Sequence, residues 1–344
     1  MSNTTMNQSY QTLRSGAARV ALGVRGTVAF AGADRATFLQ GLLTNDIGAL
    51  EAGSGCYAAY LTPQGRMIAD MRLLELGDRL LMDVDRQLAD SLVSRFSMLV
   101  FSEVVEVADE SAAWHRVGVR GPGSATRVGE ALDPPGDVAD STPNGLTAYR
   151  DLDNGWWALD GVPVLAASND ELGVPGIDLW VASTHGVRLD GRLAEVGLEP
   201  ADADAVEALR VEAGTPRFGT DMDGETIPLE AGISARAISE TKGCYVGQEV
   251  IIRILHRGQG RVARRLVGLA FAPELDAAPV AGVEVHGNGE PVGHVTSVAW
   301  SPRLARPIAL AYVRREHAAP GTSVEVASGT TRVEAAVTAL PFPP

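Results

Sequence analysis

The sequence predicts an α+β protein that ends in a small antiparallel β-barrel. A strand–turn–strand alternation from Met67 to Val84 lies between segments of helical periodicity, which is typical of an α+β layer. After Gly260, six short apolar segments are separated by Pro and Gly at the spacing of barrel strands. We therefore expect a first α+β unit over residues 18–120, a second over 121–257 that either interleaves with it or follows it, and a barrel over 258–344.

The elements of the first unit follow from hydrophobic periodicity and turn residues. After a polar start with no predicted element, residues 20–30 are expected to be extended, and Asp34 is expected to cap a helix that carries Phe38, Leu39, Leu42 and Leu43 on one face. The turn Gly77–Asp78 joins the two strands of a hairpin. The remaining predicted elements are a helix from Leu88 to Phe96 and a strand over 103–107.

The second unit and the barrel are predicted from shorter segments. Residues 121–144 are rich in Gly, Pro, Ser and Asp and are expected to form loops. Short strands are expected at 146–150, 156–160 and 178–182, before a helix over 203–213. The six barrel strands are predicted at 266–271, 283–286, 291–297, 308–313, 323–326 and 331–337. Residues 341–344 are expected to form a loose tail.

Composition excludes several classes of protein. With 45% hydrophobic residues and 21% charged residues in 344, the chain can bury a substantial core. A net charge of −14 disfavours direct nucleic-acid binding and anionic membranes, and no apolar run approaches eighteen residues. Two distant cysteines and six scattered histidines indicate neither a disulfide framework nor a metal site. We expect a cytoplasmic monomer.

One basic residue differs in type from all the others. Of the 29 basic residues, all are arginine except Lys242, which lies two residues before Cys244. The difference between a compact ammonium and a planar guanidinium suggests a site that requires lysine, although chance is the alternative.

Cys244 lies on a segment with glycines at 243 and 247, which favours a tight turn that displays the thiol. The cations of Lys242, and of Arg253 or His256 if they fold back, would then lower its pKa and make it reactive. The alternative is a small buried apolar residue. Cys56, which has no cation near it in the sequence, is expected to pack in this second way.

A basic segment follows the motif: Lys242 and five arginines up to Arg265 meet a single acid, Glu249. Such a segment could hold the glutamyl tail of a folate, the acidic surface of a partner, or RNA phosphates. A solvated connector is the simpler alternative.

The octet Lys242 to Glu249, K-G-C-Y-V-G-Q-E, resembles the complete K-G-C-Y-x-G-Q-E signature of the YgfZ-like folate-binding family. Residues 32–47, 60–73 and 209–232 resemble the wider aminomethyltransferase-like superfamily, to which the glycine cleavage T-protein belongs. The resemblance spans nearly the whole chain and implies folate-binding domains followed by a barrel.

The resemblance also implies site residues. Glu212 matches the glutamate that holds the pterin ring through two hydrogen bonds, with an exposed helix-end acid as the alternative. Asp70 matches one acid of a pair near the folate nitrogen, and Ala69 stands in the place of the other, which argues against aminomethyl transfer. Tyr245, Gln248 and Arg253 are further candidates for folate contacts.

The function that the resemblance implies is binding of tetrahydrofolate or a one-carbon derivative in support of iron–sulfur cluster assembly or repair. Its partners would be iron–sulfur proteins or assembly factors. The enzymes that it would support include cluster-dependent tRNA-modifying enzymes. Cys244 would be the functional thiol and Lys242 would keep it ionised. The alternative is a folate-dependent aminomethyltransferase or methyltransferase, and whether the protein turns over a substrate is left open.

Overall fold

The computed structural model describes residues 3–23, 25–134, 151–275, 279–329 and 331–343, so the strand predicted at 146–150 lies outside the described residues. No helix in these ranges is long and apolar enough to cross a membrane. The helices are α1 (Asn3–Ser15), α2 (Arg35–Gln40), α3 (Arg86–Leu99), α4 (Ser124–Ala131), α5 (Gly186–Glu195), α6 (Ala203–Ala213), α7 (Ser234–Ala237) and α8 (Gln248–Ile252).

The strands are β1 (Ala18–Val20), β2 (Arg25–Ala31), β3 (Gly55–Leu61), β4 (Met67–Glu75), β5 (Arg79–Asp85), β6 (Glu106–Asp109), β7 (Trp114–Arg120), β8 (Asn154–Leu159), β9 (Val162–Ser168), β10 (Gly176–Ala182), β11 (Arg264–Phe271), β12 (Glu284–Gly287), β13 (Glu290–Ser301), β14 (Arg306–Arg314), β15 (Ser323–Ser328) and β16 (Thr331–Thr338).

The first sheet has the strand order β3–β4–β5–β2–β6, and β4 and β5 form the hairpin that the sequence predicts. Helix α3 covers one face, where Phe96 contacts the rings of Phe30 and Tyr60 at centroid distances of 5.4 and 5.1 Å. The side chain of Asp34 does not cap α2 as predicted, because it accepts a hydrogen bond from the Val104 backbone N–H instead. The other face of this sheet packs against the second sheet.

The second sheet, ordered β1–β7–β10–β9–β8, draws strands from both predicted α+β units. Strand β7 pairs with β1 on one side and with β10 on the other, so residues within 18–120 complete a sheet whose centre lies beyond residue 150. Helices α4 and α5 cover it through a common apolar cluster. The two sets of strands therefore interleave, and the boundary at residue 120 does not separate the sheets.

The six predicted barrel strands are all present and close in the order β11–β14–β13–β12–β15–β16. Alternate side chains of these strands, such as Leu269, Val295 and Val313, fill the interior. The predicted fold class, α+β with a carboxy-terminal antiparallel barrel, is confirmed.

Both chain ends pack more tightly than the sequence predicts. The polar first residues form α1, whose Met6, Tyr10 and Leu13 share one helix face and pack against α6. The prediction of a loose carboxy-terminal tail is wrong, because Phe342 is buried in an apolar cluster with Leu266 of the barrel, and its N–H donates to the carbonyl of Glu212 at 2.8 Å. A single aromatic side chain is enough to dock this otherwise proline-rich end.

Candidate functional site

A cavity of about 540 Å³ lies where the two sheets meet α6. Its volume is within the range of roughly 300 to 1,000 Å³ that is typical of small-molecule sites. Charged side chains dominate its walls, among them Arg25, Asp70, Arg72, Asp83, Arg116, Arg120, Glu171, Asp178, Glu207 and Arg210.

Asp83 of β5 is the centre of one wall. Its carboxylate accepts hydrogen bonds from Arg25 Nε at 2.9 Å, Arg116 Nη1 at 2.7 Å and Arg72 Nη1 at 3.2 Å. Burial alone would raise the pKa of Asp83, but the charges of Arg116, Arg25 and Arg72 outweigh it and hold that pKa well below its usual range. The carboxylate therefore stays ionised and fixes three guanidinium groups that come from different strands.

Asp70 projects into the cavity from β4, and Tyr57 of β3 holds it. The Tyr57 hydroxyl donates to Asp70 Oδ2 at 2.7 Å, and the guanidinium of Arg236 lies over the Tyr57 ring at 5.3 Å. In the part of the chain that the structure describes, no hydrogen-bond donor reaches Oδ1 of Asp70. One oxygen is thus fixed, and the other is available to a ligand.

Ala69 points to the opposite side of the same strand. It is fully buried in the apolar cluster beneath the first sheet, as the alternation of β4 requires. An acid at this position would enter that core and not the cavity. The absence of a second acid beside Asp70, which the sequence analysis took as evidence against aminomethyl transfer, therefore removes nothing from the cavity wall.

Helix α6 supplies Glu207 and Arg210 to the cavity. Arg210 bonds Glu207 Oε1 at 2.5 Å and Asp221 Oδ2 at 2.7 Å. Burial alone would raise the pKa of Glu207, but the hydrogen bonds and charge of Arg210 outweigh it and lower that pKa. Sequence reasoning missed Glu207, although its spacing of three from Arg210 places both on one helix face.

Glu212 lies on a different face of α6 and does not line this cavity. Its carboxylate accepts hydrogen bonds from Tyr10 Oη at 2.7 Å, Ser301 Oγ at 2.5 Å and Arg303 Nε at 3.3 Å. Because Glu212 is buried, the alternative of an exposed helix-end acid is wrong. The predicted pterin contact gains no support, since Glu212 lies outside the cavity lining.

Lys242 holds the backbone instead of a thiolate. Its Nζ donates to the carbonyls of Gln40, Leu43 and Asn45 at 2.6, 2.6 and 2.9 Å. Burial lowers the pKa of this ammonium to about 8. These three bonds take up the donors of the ammonium, so the arrangement does not support the predicted role of Lys242 in keeping Cys244 ionised.

The two cysteines differ in exposure. Cys244 is exposed, in agreement with a displayed turn, whereas Cys56 is half-buried and burial raises its pKa to about 12. The expectation that Cys56 lacks a nearby cation is wrong, because the charge of Lys242 acts on this thiol and partly opposes the effect of burial. The fold brings Lys242 close to Cys56 although the two residues are far apart in the sequence.

The rest of the octet lies outside the cavity lining. Tyr245 is buried with its ring 5.2 Å from Lys242 Nζ, Gln248 begins α8, and Arg253 is exposed in the helical turn that follows. At Gly247, φ is +83° and a Cβ would meet the Thr62 carbonyl oxygen at 2.5 Å, so glycine lets the octet pack on the β3–β4 loop. Folate contacts by Tyr245, Gln248 and Arg253 stay predictions.

The cavity suits a folate by its chemistry. Carboxylates such as Asp70, Glu171 and Glu207 can accept the adjacent N–H groups of a reduced pterin, and the arginines around Asp83 can meet its glutamyl carboxylates. Neither a large apolar pocket nor a cluster of three or more metal-ligating side chains is present among the described residues at this site.

Comparison with known proteins agrees with the fold. Residues 2–241 match the model of the GCVT N-terminal domain, and residues 264–343 match that of the glycine cleavage T-protein C-terminal barrel domain. The aminomethyltransferase of Corynebacterium jeikeium is 32% identical over 95% of this chain and 88% of its own length. That of Rubrobacter xylanophilus is also 32% identical, over 97% and 85%.

The crystal structure of glycine cleavage system aminomethyltransferase T from Bartonella henselae has the same fold. It superposes with a TM-score of 0.85 at 20% sequence identity and covers 98% of this chain and 89% of its own. With both parts of the chain matched in order, this protein belongs to the glycine cleavage T-protein family.

Proposed function

We propose that this protein is a folate-dependent aminomethyltransferase that uses tetrahydrofolate, or a one-carbon derivative of it, in the cavity between the two sheets. The observation that carries the proposal is the Asp70 carboxylate, which is oriented by Tyr57 and directs a free oxygen into that cavity. Relatives at 32% identity that are named aminomethyltransferase support it.

Some residues of this chain would bind the folate, and Asp70 would take part in proton transfer. The arginines fixed by Asp83 bind the carboxylates of the folate and exclude other orientations. Glu207 and Glu171 accept hydrogen bonds from its ring. When bound, tetrahydrofolate supplies the nitrogen that accepts the one-carbon unit. Asp70 accepts a proton at Oδ1 and its negative charge stabilises positive charge on that nitrogen, while Tyr57 keeps the carboxylate in place.

The test is formation of methylene-tetrahydrofolate from an aminomethylated carrier protein. Wild type should form product, and Asp70→Asn should lower the rate by about 10² to 10⁴ because the amide can neither accept a proton nor carry negative charge. Asp78→Asn is the matched control, since Asp78 lies on the turn of the same hairpin and is exposed. Absence of product with wild type, or equal rates for Asp70→Asn and wild type, would overturn the proposal.

A second function, support of iron–sulfur cluster assembly or repair, is favoured by one specific observation. The octet around the exposed Cys244 begins immediately after the match to the first family model and ends before the second. A thiol displayed there can act as a soft nucleophile or ligand towards a partner, whereas a serine cannot. Folate binding in the same cavity is common to both functions.

Complementation separates this function from the first. In cells that lack the protein, Cys244→Ser should fail to restore a cluster-dependent tRNA-modifying enzyme, and Cys56→Ser should restore it. Full restoration by Cys244→Ser would remove the thiol from any such role.

A further inference from the structure

We propose that the free edge of β6 binds an extended segment of a partner protein in which basic and apolar side chains alternate. The segment would add a strand to the first sheet, a mode of recognition in which backbone hydrogen bonds supply affinity and side chains supply specificity. Strand β6 is the last in the order of that sheet, so one of its edges has no neighbouring strand among the described residues. This edge lies outside the cavity lining, and the proposal does not depend on the function proposed for the cavity.

The hydrogen bonds to β2 show which backbone groups of β6 face outwards. The N–H of Glu110, just after β6, donates to the Thr27 carbonyl of β2 at 2.8 Å. Backbone N–H and C=O groups alternate between the two edges of a strand, so those of Ala108 also face β2, whereas those of Val107 and Asp109 face away. Within the ranges that the structure describes, no backbone group pairs with Val107 or Asp109 at this outer edge. Two residues therefore offer donors and acceptors to an added strand.

Exposed apolar side chains lie where the chain enters β6. Of the eight large apolar side chains that are exposed among the described residues, three fall in the seven residues that end at Val104. They are Met98, Phe101 and Val104, which are 72%, 87% and 64% exposed. The Phe101 N–H donates to Glu103 Oε2 at 2.9 Å and the Val104 N–H donates to Asp34 Oδ2 at 2.8 Å, so this segment is held in place. Charged side chains normally protect a free edge, and an apolar segment beside it indicates a surface that a partner covers.

The charge of the edge favours a basic partner. Glu106 is exposed and has no cation within 4.0 Å among the described residues, whereas Asp109 is paired with Arg86 at 3.3 Å. The backbone N–H of Phe101 lowers the pKa of Glu103, which therefore adds a second negative charge near the start of the strand. A lysine or arginine on the added strand could pair with Glu106, and the net charge of −14 attracts a basic segment before contact.

A second copy of this chain suits the edge less well. In an antiparallel pair of two β6 strands centred on Val107 or Ala108, Glu106 of each copy would lie diagonal to or opposite Glu110 of the other. Like charges on facing strands are destabilising. Two chains that each carry a net charge of −14 also repel one another before contact.

The experiment measures fluorescence anisotropy of two short labelled peptides with the full chain. In the lysine peptide, lysine and valine alternate; in the glutamate peptide, glutamate replaces lysine. Wild type should bind the lysine peptide at least about tenfold more tightly than the glutamate peptide. Val107→Pro should weaken binding of the lysine peptide by about tenfold or more, because proline removes the outward N–H and leaves the bonds of β6 to β2 in place. Val107→Ala is the matched control, since it keeps that N–H, and should stay within about twofold of wild type.

A second pair of variants tests the charge and does not require proline to fit the strand. Glu106→Lys should lower the ratio of the two affinities by about tenfold or more, because an attractive contact with lysine becomes repulsive. Glu316→Lys is its matched control, since Glu316 is exposed in the turn after β14 and has no ion pair within the described ranges. Both variants change the net charge equally, so only the location of the charge differs.

The proposal is overturned if wild type binds neither peptide or prefers the glutamate peptide. It also fails if Val107→Pro, shown to be folded by its urea midpoint, binds as tightly as Val107→Ala, or if Glu106→Lys and Glu316→Lys change the ratio equally. A wild-type dimer in analytical ultracentrifugation that Val107→Pro dissociates would make a second copy the occupant of this edge and would likewise overturn it.

Discussion

Replacing Lys242 by methionine should destabilise the protein, because the change removes the ammonium that binds three backbone carbonyls. Methionine is similar in length and shape, so the space remains filled while the donors disappear. The carbonyls belong to the last residue of α2 and to the segment between α2 and β3. The same segment sends the Asn45 side chain to the carbonyls of Tyr57 and Arg236, both at 2.8 Å.

The magnitude follows from the exposure of the three acceptors. A hydrogen bond from a charged donor contributes about 1.5 to 3 kcal/mol. The bond to Leu43 is buried and the other two are partly accessible to water, which can replace the lost donors. Removing a buried charge also recovers part of its desolvation cost. We therefore expect the free energy of unfolding to fall by about 2 to 4 kcal/mol.

The pH dependence has a definite sign. Burial lowers the pKa of Lys242 to about 8, from 10.5 in the unfolded chain. Between these values the unfolded chain binds more protons than the folded one, so the contribution of this group to stability rises with pH in that window. Methionine abolishes this contribution, and the difference in unfolding free energy between wild type and Lys242→Met should widen from pH 8 to 10.

Urea unfolding of wild type, Lys242→Met and Lys242→Arg measures these effects. Arginine keeps the charge, but its planar group cannot direct donors to three converging carbonyls in the same way, so an intermediate loss is expected. The reasoning is refuted if Lys242→Met unfolds at the wild-type urea midpoint, or if the difference between the two proteins does not change with pH.

Three further changes test other parts of the structure. Asp83→Asn should lower the unfolding free energy by about 3 to 5 kcal/mol in urea, because three partly buried guanidinium groups lose the buried anion that they share. Since the pKa of Asp83 is depressed, the difference from wild type should shrink as pH falls below about 4, and a constant difference would contradict the assignment. Glu207→Gln should weaken tetrahydrofolate binding in calorimetry. Glu212→Gln should lower the free energy of unfolding by about 1 to 2 kcal/mol and leave the affinity for tetrahydrofolate unchanged. If Glu212→Gln loses affinity and Glu207→Gln does not, Glu212 is the residue that contacts the pterin. Brief alkylation at neutral pH followed by mass spectrometry should modify the exposed Cys244 before Cys56, and faster modification of Cys56 would show that its burial is not maintained in solution.

Local patterns in the sequence predict much of the fold. The barrel strands and the helix over 203–213 are bounded by Gly, Pro or an aspartate cap and have clear periodicity. Helix α1 is not predicted because its segment is polar on average and contains few apolar residues. Those apolar residues are buried only by contact with α6, which follows much later in the chain. Strands β3, β7 and β9 are missed because each is buried on both faces along part of its length, which obscures the alternation of apolar and polar residues.

The site was less accessible to sequence reasoning. Asp70 could be identified because it lies in a recognisable stretch, but its orientation relative to Ala69 depends on which face of β4 meets the second sheet. The partners of Asp83 come from β2, β4 and β7, and nothing in their local sequence indicates that they converge. The acceptors of Lys242 are about 200 residues away in the chain, so a residue that looked like an activator of its neighbour proved to be a structural contact.

The interleaved second sheet determines when the protein can begin to fold. Strand β1 is synthesised among the first residues, yet β7, to which it pairs, is held on its other side by β10, about 60 residues further along. A ribosome must therefore release residues up to 182 before this sheet has a stable centre. A nascent chain that stops near residue 120 lacks β10, so the edge of β7 that β10 covers is exposed, and we expect such a chain to need protection from aggregation.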